Sequence, residues 1–320
     1  MPKDLHILPK LRDSLTFIYV ERAIIEQDNL SIVRITKEGR APIPIAAMTV
    51  LMIGPGVSIT HAAIKAVCDN GCMIIWCGEH ASRFYAAGMG ETRSAANLMH
   101  QATLCMNQQR HMEVVRRMYL RRFPKMTCGD MTLQQLRGME GIRMREAYRL
   151  ASKTSGIKWI KRDYKQTDWD AADPINRALS MANAILYSLC QAAVISLGYS
   201  PGLGFIHTGK MLSFVYDIAD LYKAETTIPA AFTAVRNMTE PGELGRQVRL
   251  ACRDAFRASQ ILKRIPQDID WVLQTESPSE DTEAKNIGNL WNDNDGGVAD
   301  GGVNYAGVPL DDTDNDGKCI

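Results

Sequence analysis

The chain lacks any stretch of about eighteen apolar residues that reads as a bilayer-spanning segment. Its opening, Met-Pro-Lys-Asp-Leu-His-Ile-Leu, has no basic run followed by a long apolar one, so no secretory leader is expected and the compartment is expected to be cytoplasmic. It has no Walker A loop: "GYSPGLG" at 198–204 is glycine-rich but lacks the Gly-Lys-Ser/Thr ending. It has no zinc-ribbon spacing. Cys68, Cys72, Cys77 and His80 are four possible ligands, but "MIIW" among them reads as a buried strand. It has no complete EF-hand either. Asp312, Asp314, Asp316 and Gly317 match the start of such a loop, yet the bidentate Glu of position twelve would fall beyond Ile320. The eight cysteines are scattered, mostly among apolar neighbours, and in a reducing compartment act as free, core-filling thiols.

A surplus of charge is also missing, but only on average. The formal net charge is +1 over 320 residues, with 46% hydrophobic and 23% charged residues, as in an ordinary globular protein. From Glu276 onward there are eleven acidic residues against Lys285 and Lys318, a net of −9, which leaves +10 for the rest. Residues 1–95 hold ten basic and nine acidic side chains, and 96–275 hold 25 and 16, so the excess lies in the second segment. Such an excess suits a polyanionic partner, with a solvated basic helical face as the plain alternative.

Three regions follow from the patterning. Residues 1–90 read as a small β-rich domain with one short helix: "LTFIYV", "NLSIVRIT", "APIPIAAMTVLMI", "CMIIWC" and "RFYAAG" suit strands, with turns at Glu26–Asn29 and Lys37–Arg40 and a helix near Thr60–Cys68. Residues 91–275 read as an all-α domain. The run "SAANLMHQATLCMNQQRHMEVVRRMYLRRF" predicts one long helix, and others are expected near Thr132–Ser155, Asp173–Leu197, Ser213–Lys223, Pro229–Arg236 and Glu243–Arg264. The fold class is therefore α+β, with a larger helical domain after the β-rich one. Residues 276–320 form an acidic tail with little to bury, expected to be flexible.

Candidate chemistry sits in the helical region. Asp217 and Asp220 are one turn apart in an apolar helix, and His207 precedes them in a loop containing Gly202, Gly204 and Gly209. Aspartate with imidazole suits Mn²⁺ or Mg²⁺ better than Ca²⁺, although such a pair of aspartates also makes an ordinary solvated face. Glu140 lies between Gly138 and Gly141, each of which costs about 1 kcal/mol in a helix relative to Ala. The small neighbours admit a second backbone or a bulky ligand. Helix packing, with Glu140 paired to Arg137 or Arg143, is the other reading. Arg246, Arg249, Arg253 and Arg257 recur at helical spacing, as a phosphate-tracking stripe or a structural one paired with Glu243 and Asp254.

The motifs "LRGMEG", "GFIHTGKMLSFVYDIADLYK" and "VRLACRDAF" together resemble the CRISPR-associated spacer-acquisition integrases, the first-numbered Cas family, in the type I-E branch. The resemblance spans about residues 10–270. It implies a metal site of Glu140, His207 and Asp220 for Mg²⁺ or Mn²⁺, with Asp217 beside it as a further catalytic residue. It implies DNA-facing roles for Arg83, Lys210, Lys223, Arg249 and Arg253, with Arg246 on the same stripe. It also implies a homodimer joined to a small protein of the second-numbered Cas family, and joining of short DNA fragments into a CRISPR array by transesterification, together with endonuclease activity. A branched-DNA nuclease and a non-catalytic DNA-binding scaffold are the rival readings. Ser58 and Glu21 depart from the family pattern, standing where relatives carry a DNA-touching arginine and a wedging tyrosine.

Overall fold

The computed structural model describes residues 17–275, apart from 30, 49, 80–83, 89–94, 124–130 and 164–172. These residues belong to one compact unit, Met1–Ser277. The expected boundary near residue 90, Arg83, His80 and the acidic tail lie outside the described residues.

The N-terminal part carries two four-stranded sheets. One has the order β1 (Phe17–Val20), β5 (Val50–Ile53), β7 (Met73–Cys77), β8 (Phe84–Gly88), with only the last pair antiparallel. The other runs β4 (Gly39–Ile43), β3 (Ser31–Thr36), β2 (Ile24–Asp28), β6 (Ser58–Ile59), with β6 parallel to β2. Helix α1 (His61–Asp69), started by the Thr60 hydroxyl accepting from the Ala63 N–H, packs against β2, β3 and β7. Strand alternation assigns the layers. Leu51, Ile53 and Ile74 face Val20, Ile25, Ile32, Ala63 and Val67 in one core. Val50, Met52, Met73 and Ile75 face the other way and meet Ala192 and Ile195 of the helical part.

Two β-region readings change. The turn expected at Glu26–Asn29 is shorter, because Ile24 to Asp28 pairs fully with β3, and Asn29 (φ 54°) makes the reversal. The run "APIPIAAMTVLMI" is two strands in different sheets, separated by a 3₁₀ turn at Ile45–Ala47 after Pro44.

The helical part comprises α2 (Ala96–Met106), α3 (Gln108–Arg122), α4 (Leu133–Ser155), α5 (Pro174–Ser196), α6 (Ser213–Ala219), α7 (Thr227–Arg236), α8 (Leu244–Ala258) and α9 (Ile261–Leu273). The single long helix expected from residue 94 breaks at Asn107, whose extended backbone (ψ 114°) and side chain, accepting from the Arg110 N–H, begin a new helix. The helix expected over Glu243–Arg264 likewise breaks at Gln260 (φ 50°) into α8 and α9. Helix α6 stops at Ala219 rather than Lys223, so Asp220 is its C-terminal cap. By contrast α4 and α5 start where their caps predict: Thr132 with Gln135 as a capping box, and Asp173 followed by Pro174.

Helix α5 is the axis of the bundle and packs on α6, α7, α8 and α9. By length and composition alone it is apolar enough to cross a bilayer, contrary to the sequence expectation, but 61% of that window is buried within the protein. Its Ala178, Leu179, Ala182, Leu186, Cys190 and Ala193 are fully enclosed. This is the signature of a core helix, apolar nearly all round.

Candidate functional site

The polar cluster forms where the 203–212 loop folds back over α6. Asp217 is fully buried on α6. Its Oδ2 accepts from the backbone N–H of Phe205 (2.6 Å) and Ile206 (3.0 Å), and its Oδ1 from that of His207 (2.9 Å). Oδ1 also meets the His207 Nδ1 at 2.7 Å. A carboxylate that already takes three backbone N–H groups is an acceptor, so Nδ1 carries a hydrogen, and whenever the ring is neutral Nε2 is the nitrogen with the lone pair. The loop reaches this position because residue 204 is glycine. A Cβ there would lie 2.3 Å from the His207 carbonyl oxygen and 2.6 Å from Ser213 Cβ.

The His207 Nε2 faces the Asp220 Oδ2 at 3.9 Å, and the other Asp220 oxygen pairs with Lys223 Nζ at 2.5 Å. Burial pushes the Asp220 carboxyl up, but Lys223, Arg122 and His207 together outweigh it and hold it below the usual aspartate range. Burial likewise lowers Lys223, and Asp220 with Tyr187 more than reverses this, so the ammonium is held charged. Lys223 sits 4.8 Å above the Tyr187 ring; Tyr187 meets Tyr216 edge-on, and Tyr216 meets His207. Lys223, for which the resemblance implies a DNA-facing role, pairs here with Asp220 and is 18% exposed.

Glu140 approaches from α4. Its Oε1 pairs with Arg143 (3.2 Å) and more distantly with Arg122 (3.9 Å), while its buried Oε2 has no hydrogen-bond partner. The pairing with Arg143 is the one that the helix-packing reading of "LRGMEG" expects. The packing around its glycines is not seen: among the described residues nothing lies within 4 Å of a Cβ built on Gly138, and only the Arg145 guanidinium, at 3.9 Å, lies near one on Gly141. That face of α4 is open beside Glu140. Among the described residues no three His, Cys, Asp or Glu side chains stand close enough to chelate an ion as placed. The donor chemistry nevertheless suits a hard divalent ion: an orphaned carboxylate oxygen, an imidazole nitrogen fixed in one tautomer and an ionised aspartate.

The remaining basic residues are mostly at the surface. Lys210, Arg246 and Arg253 are exposed; Arg253 pairs with its neighbour Asp254, and Arg249 with Glu21 of the sheet region at 3.7 Å. Residues that pattern reading missed are Arg122, Tyr187 and Tyr216, and a brace below the site. There the buried Asp268 of α9 accepts from Tyr222 (2.5 Å) and Arg121 (2.6 Å). Arg122 sits in "RRMYLRRF", where no local signal separates it from its solvated neighbours.

A two-sheet region followed by a helical bundle, with acid and imidazole side chains brought together in the bundle, defines an α+β protein with a candidate catalytic site in its helical part. The family model for CRISPR associated protein Cas1 matches residues 17–127 and 119–242. The CRISPR-associated endonuclease Cas1 2 of Thermus thermophilus is 45% identical over 311 residues, covering 95% of this chain and 94% of its own. The CRISPR-associated endonuclease Cas1 of Escherichia coli is 38% identical over 279 residues, covering 85% and 91%. The solved structure described as a TtCas1–DNA complex superposes with a TM-score of 0.70 at 46% identity, covering 84% of this chain and all of that one. The chain belongs to the Cas1 family.

Proposed function

We propose that this protein is a metal-dependent DNA integrase that joins short DNA fragments into a CRISPR array by transesterification, and that it also acts as an endonuclease. The observation that carries the reading is the Asp217–His207 pair, which aims Nε2 at Asp220 in a bundle where Glu140 keeps a buried oxygen with no partner. Glu140, His207 and Asp220 would hold Mg²⁺ or Mn²⁺. Such an ion supplies charge stabilisation at the transferring phosphate and a lowered pKa at the attacking 3′-hydroxyl.

The protein's own residues supply position. Asp217 is a positioning residue rather than a ligand, since among the described residues its carboxylate bonds to the loop and the imidazole. Lys223 keeps Asp220 ionised. Lys210, three residues after His207 and exposed, is placed to meet a phosphate beside the reacting one, and Arg246, Arg249 and Arg253 track the backbone further away. The open face at Gly138 and Gly141 gives duplex DNA access to Glu140. The relative solved with DNA supports a DNA substrate. The family resemblance supports a homodimer working with the small second-numbered Cas protein, in the cytoplasm where the array lies.

The test is incubation of the protein and its small partner with a labelled fragment and a plasmid bearing the array, with Mg²⁺, Mn²⁺ or a chelator. Covalent joining that the chelator stops is expected. Cleavage of branched DNA without joining would leave a nuclease, and binding without either reaction a scaffold.

A further inference from the structure

Arg122 ends α3 with its side chain only 2% exposed, yet its hydrogen bonding is poor. Nη2 donates to the Asp217 carbonyl oxygen at 3.4 Å, Nη1 lies 3.9 Å from Glu140 Oε1, the guanidinium lies over the Tyr119 ring at 5.2 Å, and Nε has no partner. Arginine cannot shed its proton, and a buried charge is costly unless it is compensated. The compensation here is collective. Arg122 stands between Glu140 and the Asp217 backbone, pairing closely with no carboxylate. Carboxylates gathered in a dry site repel one another, so a fixed cation among them keeps the group assembled.

We infer that Arg122 is a positioning residue for the metal site: its charge stands in for part of the ion's and steadies Glu140 against the Asp217 segment of α6 in the metal-free protein. The inference rests on the metal-site reading above. Glu140 already pairs with Arg143 at 3.2 Å, and the inference explains the second, longer contact with Arg122 at 3.9 Å beside an unpartnered buried oxygen. Arg122 is near enough to add charge and too far to close the valence of that oxygen.

Thermal melts of the full chain in chelator and in excess Mn²⁺ test this without recourse to activity. Arg122→Gln is expected to melt below wild type in chelator and to recover most of the loss with Mn²⁺, giving an Mn²⁺ upshift about twofold the wild-type one or more. Arg122→Lys, which keeps the charge, should stay close to wild type in chelator. The double variant Arg122→Gln with Glu140→Gln should regain metal-free stability and lose the upshift. A loss for Arg122→Gln that is equal in chelator and Mn²⁺ would mark a packing role and overturn the inference. So would an Arg122→Lys protein as unstable as Arg122→Gln, even if the latter could not be purified. Wild type that shows no Mn²⁺ upshift would overturn the metal reading itself, whereas a wild-type upshift that Arg122→Gln does not exceed overturns only the role of Arg122.

Discussion

Asp217 Oδ1 accepts two hydrogen bonds from one residue, His207: the backbone N–H at 2.9 Å and Nδ1 at 2.7 Å. The same carboxylate thus sets the path of the loop and the tautomer of the ring. Substitutions at the two positions should therefore differ. His207→Ala should abolish strand transfer with little change in stability, because the ring is 43% exposed. Asp217→Ala should abolish it too and also lower stability by about 2–3 kcal/mol, since three backbone N–H groups lose their acceptor. Urea melts beside integration assays check this. Equal stability of the two variants would contradict the geometry.

The Arg249–Glu21 contact ties the stripe on α8 to the sheet region. Both side chains are partly exposed, so the pair is worth under about 1 kcal/mol. Glu21→Gln should release Arg249 and tighten DNA binding a few-fold at low salt, fading as salt is added. Changing Arg249 and Arg253 together to Glu should weaken binding to many sequences alike and flatten the salt dependence. Filter binding across a salt series on unrelated duplexes reads both. A sequence-selective loss with an unchanged salt slope would assign these arginines to base reading or packing.

Burial pushes the thiols of Cys77 and Cys252 up to about 12. A thiol raised in this way stays protonated, and unreactive, through neutral and mildly alkaline pH, and its thiolate appears only as the pH nears that value. Iodoacetamide at pH 8 should leave both unlabelled in the native protein and label them after denaturation. Peptide mass mapping is the measurement, and native labelling at either position would place it outside the core.

Removing residues 276–320, with their net charge of −9, should leave the melting temperature almost unchanged, because the segment has few apolar side chains to bury. If the tail docks on the small partner through Trp291, Tyr305 and Leu310, the truncation weakens that assembly and the loss persists at raised salt. If it screens the basic body, partner affinity stays unchanged and non-specific DNA binding tightens instead. Docking is the expected result, since screening has no use for those three anchors. Calorimetric titration with the partner decides between them.

Much of this protein was legible in its amino-acid order. The α+β division, the starts of α4 and α5 and the candidacy of Glu140, His207 and Asp220 follow from local patterns: strand alternation, Thr132 and Asp173 as caps, and polar residues within apolar runs. The break at Asn107 was not visible in the same way. Periodicity continues through it, and only the backbone turn at that residue separates α2 from α3. Spacing also put Asp217 and Asp220 on equal footing. The tertiary structure separated them, burying one under the N–H groups of a returning loop and leaving the other at a helix end between His207 and Lys223. Arg122 and Lys223 show the same limit. In sequence they are two basic residues among many, and only long-range packing decides that their charges are enclosed beside carboxylates rather than solvated, because the free energy of a charge depends on what surrounds it and not on its neighbours along the chain.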